Sequence, residues 1–294
     1  ASVVTAHTTG SNLFGESYTT DSVTTYTYET TGILGRIATA VTNSTTLGTD
    51  IWGATYETKS TTTYIIEHNR PLASVVTAHT TGSNLFGEEY ATTSSTQYYY
   101  YAVEEAPHHV YGEISGTYTD SITNGTDIWG ATYTTTSHTE YTLIKTKNRP
   151  LAREVTSVTT GTNLFGESYT TTSETTYTYY EGQSGPRHVL GELSGATTTS
   201  TTNGTDIWGA TYETKSTTEY TIINNRALAS RVTATTTGSN LFGENYTTTS
   251  TTEYEYYKGA TGTKKVLGEL KSATTTTTTT GTDVWGANYI TTST

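Results

Sequence analysis

The 294-residue chain contains no cysteine, no methionine and only four prolines. Without cysteine it has no disulfides, thiolate metal ligands or thiol nucleophiles, so the redox state of its compartment leaves no mark on the sequence. Leu, Ile, Val and Phe are also too scarce for an ordinary hydrophobic core. Order in this chain therefore has to rest on aromatic side chains and hydrogen bonds.

Long apolar runs and basic clusters are missing as well. The run Tyr64 to Ile66 is typical of the longest apolar stretches, whereas a membrane span needs about 18 such residues. The 27 acidic against 15 basic residues give a net charge of −12. A basic stripe for a phosphate backbone is absent, so we expect neither a membrane span nor a nucleic-acid partner.

What the chain has instead is threonine, serine and tyrosine. Thr and Ser make up more than a third of the residues, and there are 25 Tyr. Because Thr is β-branched and both Thr and Tyr suit a pleated, half-buried surface, the composition predicts an all-β protein.

Four tandem repeats organise the sequence. The segment ASVVTAHTTGSNLFGE occurs at Ala1 and again at Ala73, with close variants at Ala152 and Ala229. This spacing predicts one array over 1–294 with repeats 1–72, 73–151, 152–228 and 229–294, of which the last is incomplete. The start at Ala1 rather than Met is expected of a processed chain.

Each repeat is itself double. Its first half contains G-[ST]-N-L-F-G-E and its second half G-T-D-[IV]-W-G-A, so that eight modules each carry one aromatic residue flanked by Gly. We expect these rings to be structural anchors, each buried in the core of its module. They are Phe14, Trp52, Phe86, Trp129, Phe165, Trp208, Phe242 and Trp285.

The segments LASRVTATTTGSNLFGENY from Leu228 and GATTTSTTNGTDIWGATY from Gly195 resemble the blades of two-component-regulator-type β-propeller repeats. That resemblance implies a β-propeller-like array of eight modules. A second turn at Lys215 to Thr217 would give each module three or four short strands, which is the size of a propeller blade. An up-and-down hairpin ribbon or barrel is the alternative, with residues 208 to 223 in one unbroken strand. A β-solenoid is a third reading.

The acidic residues recur at fixed repeat positions, which favours an architectural role. Asp206 and its counterparts interchange with Asn163 and its counterparts, as expected for side chains that close Asx turns. No motif for catalysis is present, and one Asp per repeat cannot supply the six to eight oxygens of a calcium site. We therefore expect no catalytic residue, no metal and no cofactor.

Two residue sets are candidates for contact with carbohydrate. As lectin ligand residues we consider the tyrosines that follow each Trp, namely Tyr56, Tyr133, Tyr212 and Tyr289. Four sequons are N-glycosylation acceptors if the source organism has the enzymes, namely Asn43, Asn124, Asn203 and Asn245.

These patterns predict a non-enzymatic extracellular or cell-surface repeat protein. It would serve as a building block of a surface fibre, sheath or adhesive scaffold, self-associating with neighbouring protomers and carrying glycans. The alternative is a multivalent lectin that binds carbohydrate in repeated pockets.

Overall fold

The computed structural model describes residues 1–11, 16–50, 53–84, 86–102, 111–144, 149–182, 189–257, 259 and 267–294. The regular secondary structure there consists of sixteen β-strands, so the all-β prediction is confirmed. The chain divides into two compact units, Ala1–Leu151 (unit 1) and Ala152–Thr294 (unit 2). The division falls between the second and third repeats.

The strands of unit 1 follow one another in chain order, and each pairs antiparallel with the next. They are β1 (Val3–Ser11), β2 (Ser17–Tyr28), β3 (Ile37–Thr49), β4 (Thr55–Glu67), β5 (Arg70–Ser83), β6 (Glu89–Tyr100), β7 (Ile114–Thr126) and β8 (Thr132–Ile144).

Unit 2 repeats this arrangement, with its first strand beginning just before the boundary. Its strands are β9 (Arg149–Thr162), β10 (Ser168–Tyr179), β11 (Leu193–Thr205), β12 (Thr211–Ile223), β13 (Arg226–Ser239), β14 (Asn245–Tyr256), β15 (Leu270–Thr282) and β16 (Asn288–Ser293).

The propeller expectation for the fold is wrong. Propeller blades are separate four-stranded sheets, so β4 and β5 of unit 1 would belong to different blades. Instead these two strands pair from Thr55↔Ser83 to Glu67↔Arg70, and β12 and β13 of unit 2 pair over the equivalent length. Each unit therefore follows the up-and-down order of the alternative, although its described strands do not close into a barrel.

The expected turn at Lys215 to Thr217 is also absent, because β12 runs unbroken through it. Those three residues include no Gly, Asn or Pro to favour a turn, whereas Thr suits a strand. The Ser216 hydroxyl hydrogen-bonds the Ser200 hydroxyl of the preceding strand at 2.8 Å. The real turns lie at 206–210 and at Asn224-Asn225, whose positive φ angles of 51° and 60° are typical of a two-residue hairpin loop.

The described residues bury very little apolar surface. Ala40, Ile144, Leu151 and Leu193 are the buried hydrophobic residues among them, and no large side chain is completely buried. The chain exposes 18337 Å² of accessible surface, whereas a compact monomer of 31.7 kDa exposes about 12,000 Å². Hydrogen-bonded ladders and contacts between side chains of adjacent strands must therefore supply most of the stability.

Candidate functional site

Where the structure describes the whole loop, each hairpin that joins an odd-numbered strand to the next one is closed by a five-residue loop of one pattern. In loop 163–167 the Asn163 Oδ1 atom accepts hydrogen bonds from the backbone N–H groups of Phe165 at 2.9 Å and Glu167 at 3.0 Å. Gly166 has φ of 88°, a conformation that favours glycine. The predicted Asx-turn role is confirmed here.

The loops that contain Phe and those that contain Trp differ in the hydrogen bonds that their Asn or Asp side chain makes. Asp206 Oδ1 accepts from the N–H groups of Trp208 and Ala210, both at 2.9 Å. Asn163 has in addition an Nδ2 donor, and this atom donates to the Glu167 carboxylate. In the loops with Phe, Asn is followed four residues later by Glu, and in the loops with Trp, Asp is followed four residues later by Ala. The Glu carboxylate is needed only beside Asn, because only the amide has an extra donor that requires an acceptor.

The aromatic residues of these loops are not buried anchors. The exposed fractions of the six described rings range from 67% at Trp129 and Trp208 to 88% at Trp285. The intermediate values belong to Phe86, Phe165 and Phe242. Phe14 and Trp52 lie outside the described residues. The anchor prediction is wrong for the described six because the ring is at a loop apex, beyond the end of the paired strands.

We call each such loop, with its aliphatic and aromatic pair, a tip. The aliphatic neighbours are exposed too, including Leu164 at 58% and Leu241 at 60%. Paired strands lie about 4.8 Å apart, and successive tips of a unit are two strands apart. The bases of neighbouring tips are therefore separated by about 10 Å. In unit 2 the Leu241 side chain comes within 3.8 Å of where a Cβ on Gly209 would lie, so adjacent tips are in contact distance. In unit 2, where all four tips are described, a row of exposed apolar side chains therefore lies along the strand ends.

A row of alternating glycine and tyrosine crosses each unit next to the tips. Facing residues across the strands are Gly10, Tyr18, Gly48, Tyr56, Gly82, Tyr90, Gly125 and Tyr133 in unit 1. Each ring covers the glycine of the preceding strand so closely that a Cβ on Gly48 would lie 2.2 Å from the Tyr56 ring. This spacing of eight residues from Gly to Tyr recurs in all eight modules, so the periodicity of the sequence itself marks these pairs.

The two faces of each sheet differ in charge. The face that carries the tyrosine row continues into rows of Thr, Ser, Ala and Val and holds no charged side chain in these rows; we call it the uncharged face. Its second row is threonine on all eight strands of unit 1, namely Thr8, Thr20, Thr46, Thr58, Thr80, Thr92, Thr123 and Thr135.

Hydroxyl pairs link neighbouring strands on the uncharged face. Thr20 and Thr46 are joined at 2.9 Å, and Thr58 and Thr80 at 2.8 Å. The opposite, charged face holds the ionic groups of the strands, such as the Lys59–Glu57 pair at 3.1 Å. Alternation along each strand therefore separates small hydroxyl groups from charge.

Of the four tyrosines predicted as lectin ligand residues, the structure brings two into one groove. Tyr56 and Tyr133 line one open groove of unit 1, and Tyr212 lines a groove of unit 2 that does not include Tyr289. Glu57, one of the two acidic residues that line the first groove, directly follows Tyr56 in its strand. Because neighbours in a strand point to opposite faces, the Tyr56 ring and the Glu57 carboxylate lie on opposite sides of the sheet.

The four sequon asparagines are exposed on strands. The Oδ1 atoms of Asn43 and Asn124 each accept a hydrogen bond from a threonine hydroxyl, at 2.8 Å in both cases. Asn203 and Asn245 line the groove of unit 2. All four positions are sterically open, and their glycosylation stays a prediction.

At the strand ends opposite the tips, tyrosine hydroxyls bind backbone carbonyls. Tyr100 donates to the Ala73 carbonyl at 2.6 Å, and Tyr256 donates to that of Ala229 at 2.7 Å. Burial raises the pKa of Tyr100, and the nearby Tyr98 raises it further. Burial likewise raises the pKa of Tyr256, with a smaller contribution from Tyr254.

Within the described ranges, no cluster of three or more His, Cys, Asp or Glu side chains is arranged to hold a metal ion. No helix in that part of the chain has the length and apolarity to cross a membrane. Comparison with protein-family models and with curated proteins finds no match. Function therefore has to be argued from the tips, the faces and the grooves themselves.

Proposed function

We propose that this chain is a non-enzymatic, extracellular structural protein that acts as an adhesive scaffold, with the tips as its contact points. The β-sheet of each unit holds the tips at regular intervals, and each tip offers an aliphatic and an aromatic side chain to whatever lies beyond the edge. Individual contacts are weak, but several on one rigid support act together.

The observation that carries this proposal is the exposure of the six described tip rings. Contiguous apolar patches on soluble proteins mark surfaces that bind a partner, whereas scattered exposed hydrophobic residues are ordinary. Here the exposed rings recur at the same loop position in every described module. The Asx hydrogen bonds and the positive φ of the loop glycine fix the loop around each ring.

Adsorption to surfaces of known chemistry tests this role. We expect the full chain to adsorb strongly on an alkyl-terminated monolayer and weakly on a hydroxyl-terminated one, measured by quartz-crystal microbalance. Replacing Trp129, Trp208 and Trp285 with Ser should lower the affinity for the alkyl surface by about tenfold or more, since each buried large apolar side chain contributes about 1.5–3 kcal/mol.

The matched control removes exposed apolar side chains that are not on tips. Val23, Leu47 and Ile122 are 41%, 55% and 49% exposed on the strands of unit 1. Their triple replacement with Ser should leave adsorption nearly unchanged. Equal losses in the two triple variants would show that general hydrophobicity, and not the tips, holds the protein to the surface.

A lectin activity is the second candidate, and the groove of unit 1 favours it. Glu57, Glu89 and Asn124 line that groove together with Ser and Thr hydroxyls, a set of groups that can hydrogen-bond a hydroxylated polymer. A glycan array is the test. Glu57→Ala with Glu89→Ala should abolish any binding, and Thr58→Ala, on the uncharged face and outside the groove lining, should leave it intact.

A further inference from the structure

We infer that the uncharged face is the site where a second copy of this chain docks, sheet against sheet. The proposal goes beyond the adhesive role, because it involves neither the tips nor any outside surface. It concerns the rows of Tyr, Thr and Ser on one side of each unit.

Charge distribution is the first argument. A chain of net charge −12 should resist self-association, yet the uncharged face presents no ionic group in its rows. Two sheets stacked through these faces lie about 10 Å apart, which leaves the charged faces on the outside, separated by about 20 Å. That separation exceeds the Debye length of about 8 Å at physiological salt, so repulsion between the outer faces is largely screened.

The size of the face is the second argument. Eight strands at about 4.8 Å spacing and nine residues at about 3.4 Å give each unit an uncharged face of about 1,200 Å². Two such faces in contact bury about 2,400 Å², which lies in the range of obligate homodimer interfaces. Small Thr and Ser side chains give the face low relief, and two twisted sheets stack when their strands cross at about 30°.

The missing core is the third argument. A sheet ordinarily buries one face against a second layer, and the described strands within each unit form no such layer of their own. The accessible surface exceeds that of a compact monomer by roughly half. A second copy contributes the missing layer with the same chemistry, because identical rows of hydroxyl and methyl groups interdigitate.

Sedimentation velocity of the full chain across the micromolar range tests the inference. We expect a dimer or larger oligomer that dissociates on dilution. Thr58→Lys with Thr214→Lys places two charges on the uncharged faces and should weaken association at least tenfold. Thr61→Lys with Thr217→Lys places the same charges on the charged faces of the same strands and should associate as the wild type does.

A wild-type chain that stays monomeric throughout this range overturns the inference, and so does undiminished association of the Thr58→Lys, Thr214→Lys variant. If that variant loses its β-sheet circular dichroism, hydroxyl-radical footprinting of the wild type decides. Association should protect Tyr56 and Tyr212 from oxidation and leave Trp129 reactive. Protection of Trp129 with unchanged tyrosines would instead assign self-association to the tips and refute docking through the uncharged face.

Discussion

At the scale of single residues, the pairing of glycine with tyrosine is the most regular feature of the chain. Glycine weakens a strand because it costs backbone entropy and offers no side chain to pack. An aromatic ring from the adjacent strand compensates by covering the exposed backbone, a device also used in designed sheets. Tyr90 covers Gly82 in this way, and the same contact recurs in both units.

This contact predicts that the effect of Gly82→Ala on stability changes sign when the Tyr90 ring is removed. Gly82→Ala in the wild type should be neutral or destabilising, because the new Cβ would meet the Tyr90 ring at 2.5 Å and displace it. In a Tyr90→Ala background the same substitution should be stabilising, since Ala fits a strand better than Gly. Urea unfolding of the four proteins should give a coupling of about 0.5–1 kcal/mol.

The control for this cycle is Gly116→Ala in β7, where the nearest atom to a new Cβ belongs to Tyr99 at 3.7 Å. We expect it to be neutral or slightly stabilising. A destabilisation equal to that of Gly82→Ala would show that strand position, and not the tyrosine ring, sets the requirement for glycine.

The loop residues allow a second prediction. Asn84→Asp keeps the Oδ1 acceptor for Phe86 and Glu88 but replaces the Nδ2 donor to the Glu88 carboxylate with a second negative charge. It should destabilise the protein by about 1 kcal/mol. Adding Glu88→Ala reproduces the Trp-type loop and should restore most of the loss in thermal unfolding. A double variant no more stable than Asn84→Asp would contradict this account of why the two loop types differ.

At the scale of elements, tyrosine hydroxyls hold the strand ends that lie away from the tips. The raised pKa values of Tyr100 and Tyr256 mean that the protonated phenols are favoured by folding. Their contribution is fully present below the unfolded-state pKa of about 10 and is lost as the pH rises through the higher folded-state values.

Thermal unfolding between pH 7 and strongly alkaline pH measures this contribution. Tyr100→Phe with Tyr256→Phe should lower the stability at pH 7 by about 1 kcal/mol for each lost hydrogen bond. The difference from the wild type should shrink above pH 10, where the wild-type phenols ionise. A gap that stays constant across the pH range would rule out these phenols as the titrating groups.

The elements also show what the sequence could predict. Thr-rich composition and Asx positions are local properties, and they correctly predicted β-strands and the turn chemistry of 163–167 and 206–210. Burial is not local. Trp208 was interpreted as a core residue because large aromatics are usually buried, yet that tendency does not hold at a loop apex. Asp206 and Gly209 on either side of Trp208 are turn-favouring residues, and they are a better indicator of its position than the size of its ring.

The arrangement of modules was the least predictable part. Separate blades and a continuous meander use the same strands and turns, and they differ in whether the last strand of one repeat pairs with the first of the next. Here that choice is made by Asn224-Asn225, a two-residue turn that brings β12 and β13 side by side. The faces of the sheets could be derived from alternation once the register was known, but register itself does not follow from composition.

At the scale of the whole molecule, the small amount of buried surface predicts unusual thermodynamics. From the exposed area, unfolding uncovers about a fifth less surface than it would in a compact protein of this mass. The urea m-value and the heat-capacity change should be lower by at least that fraction. Both should be measured at concentrations low enough to keep the chain monomeric. Values at the usual level for 294 residues would mean that a second layer is present.

The order of the strands has a consequence for inheritance. Each strand in a unit contacts almost solely the strands immediately before and after it, so no contact in one hairpin depends on how many others there are. Gain or loss of a whole repeat would keep every remaining neighbour. Chains with more or fewer repeats should therefore still fold, so that the length of the protein can change in evolution without a redesign of its sheet.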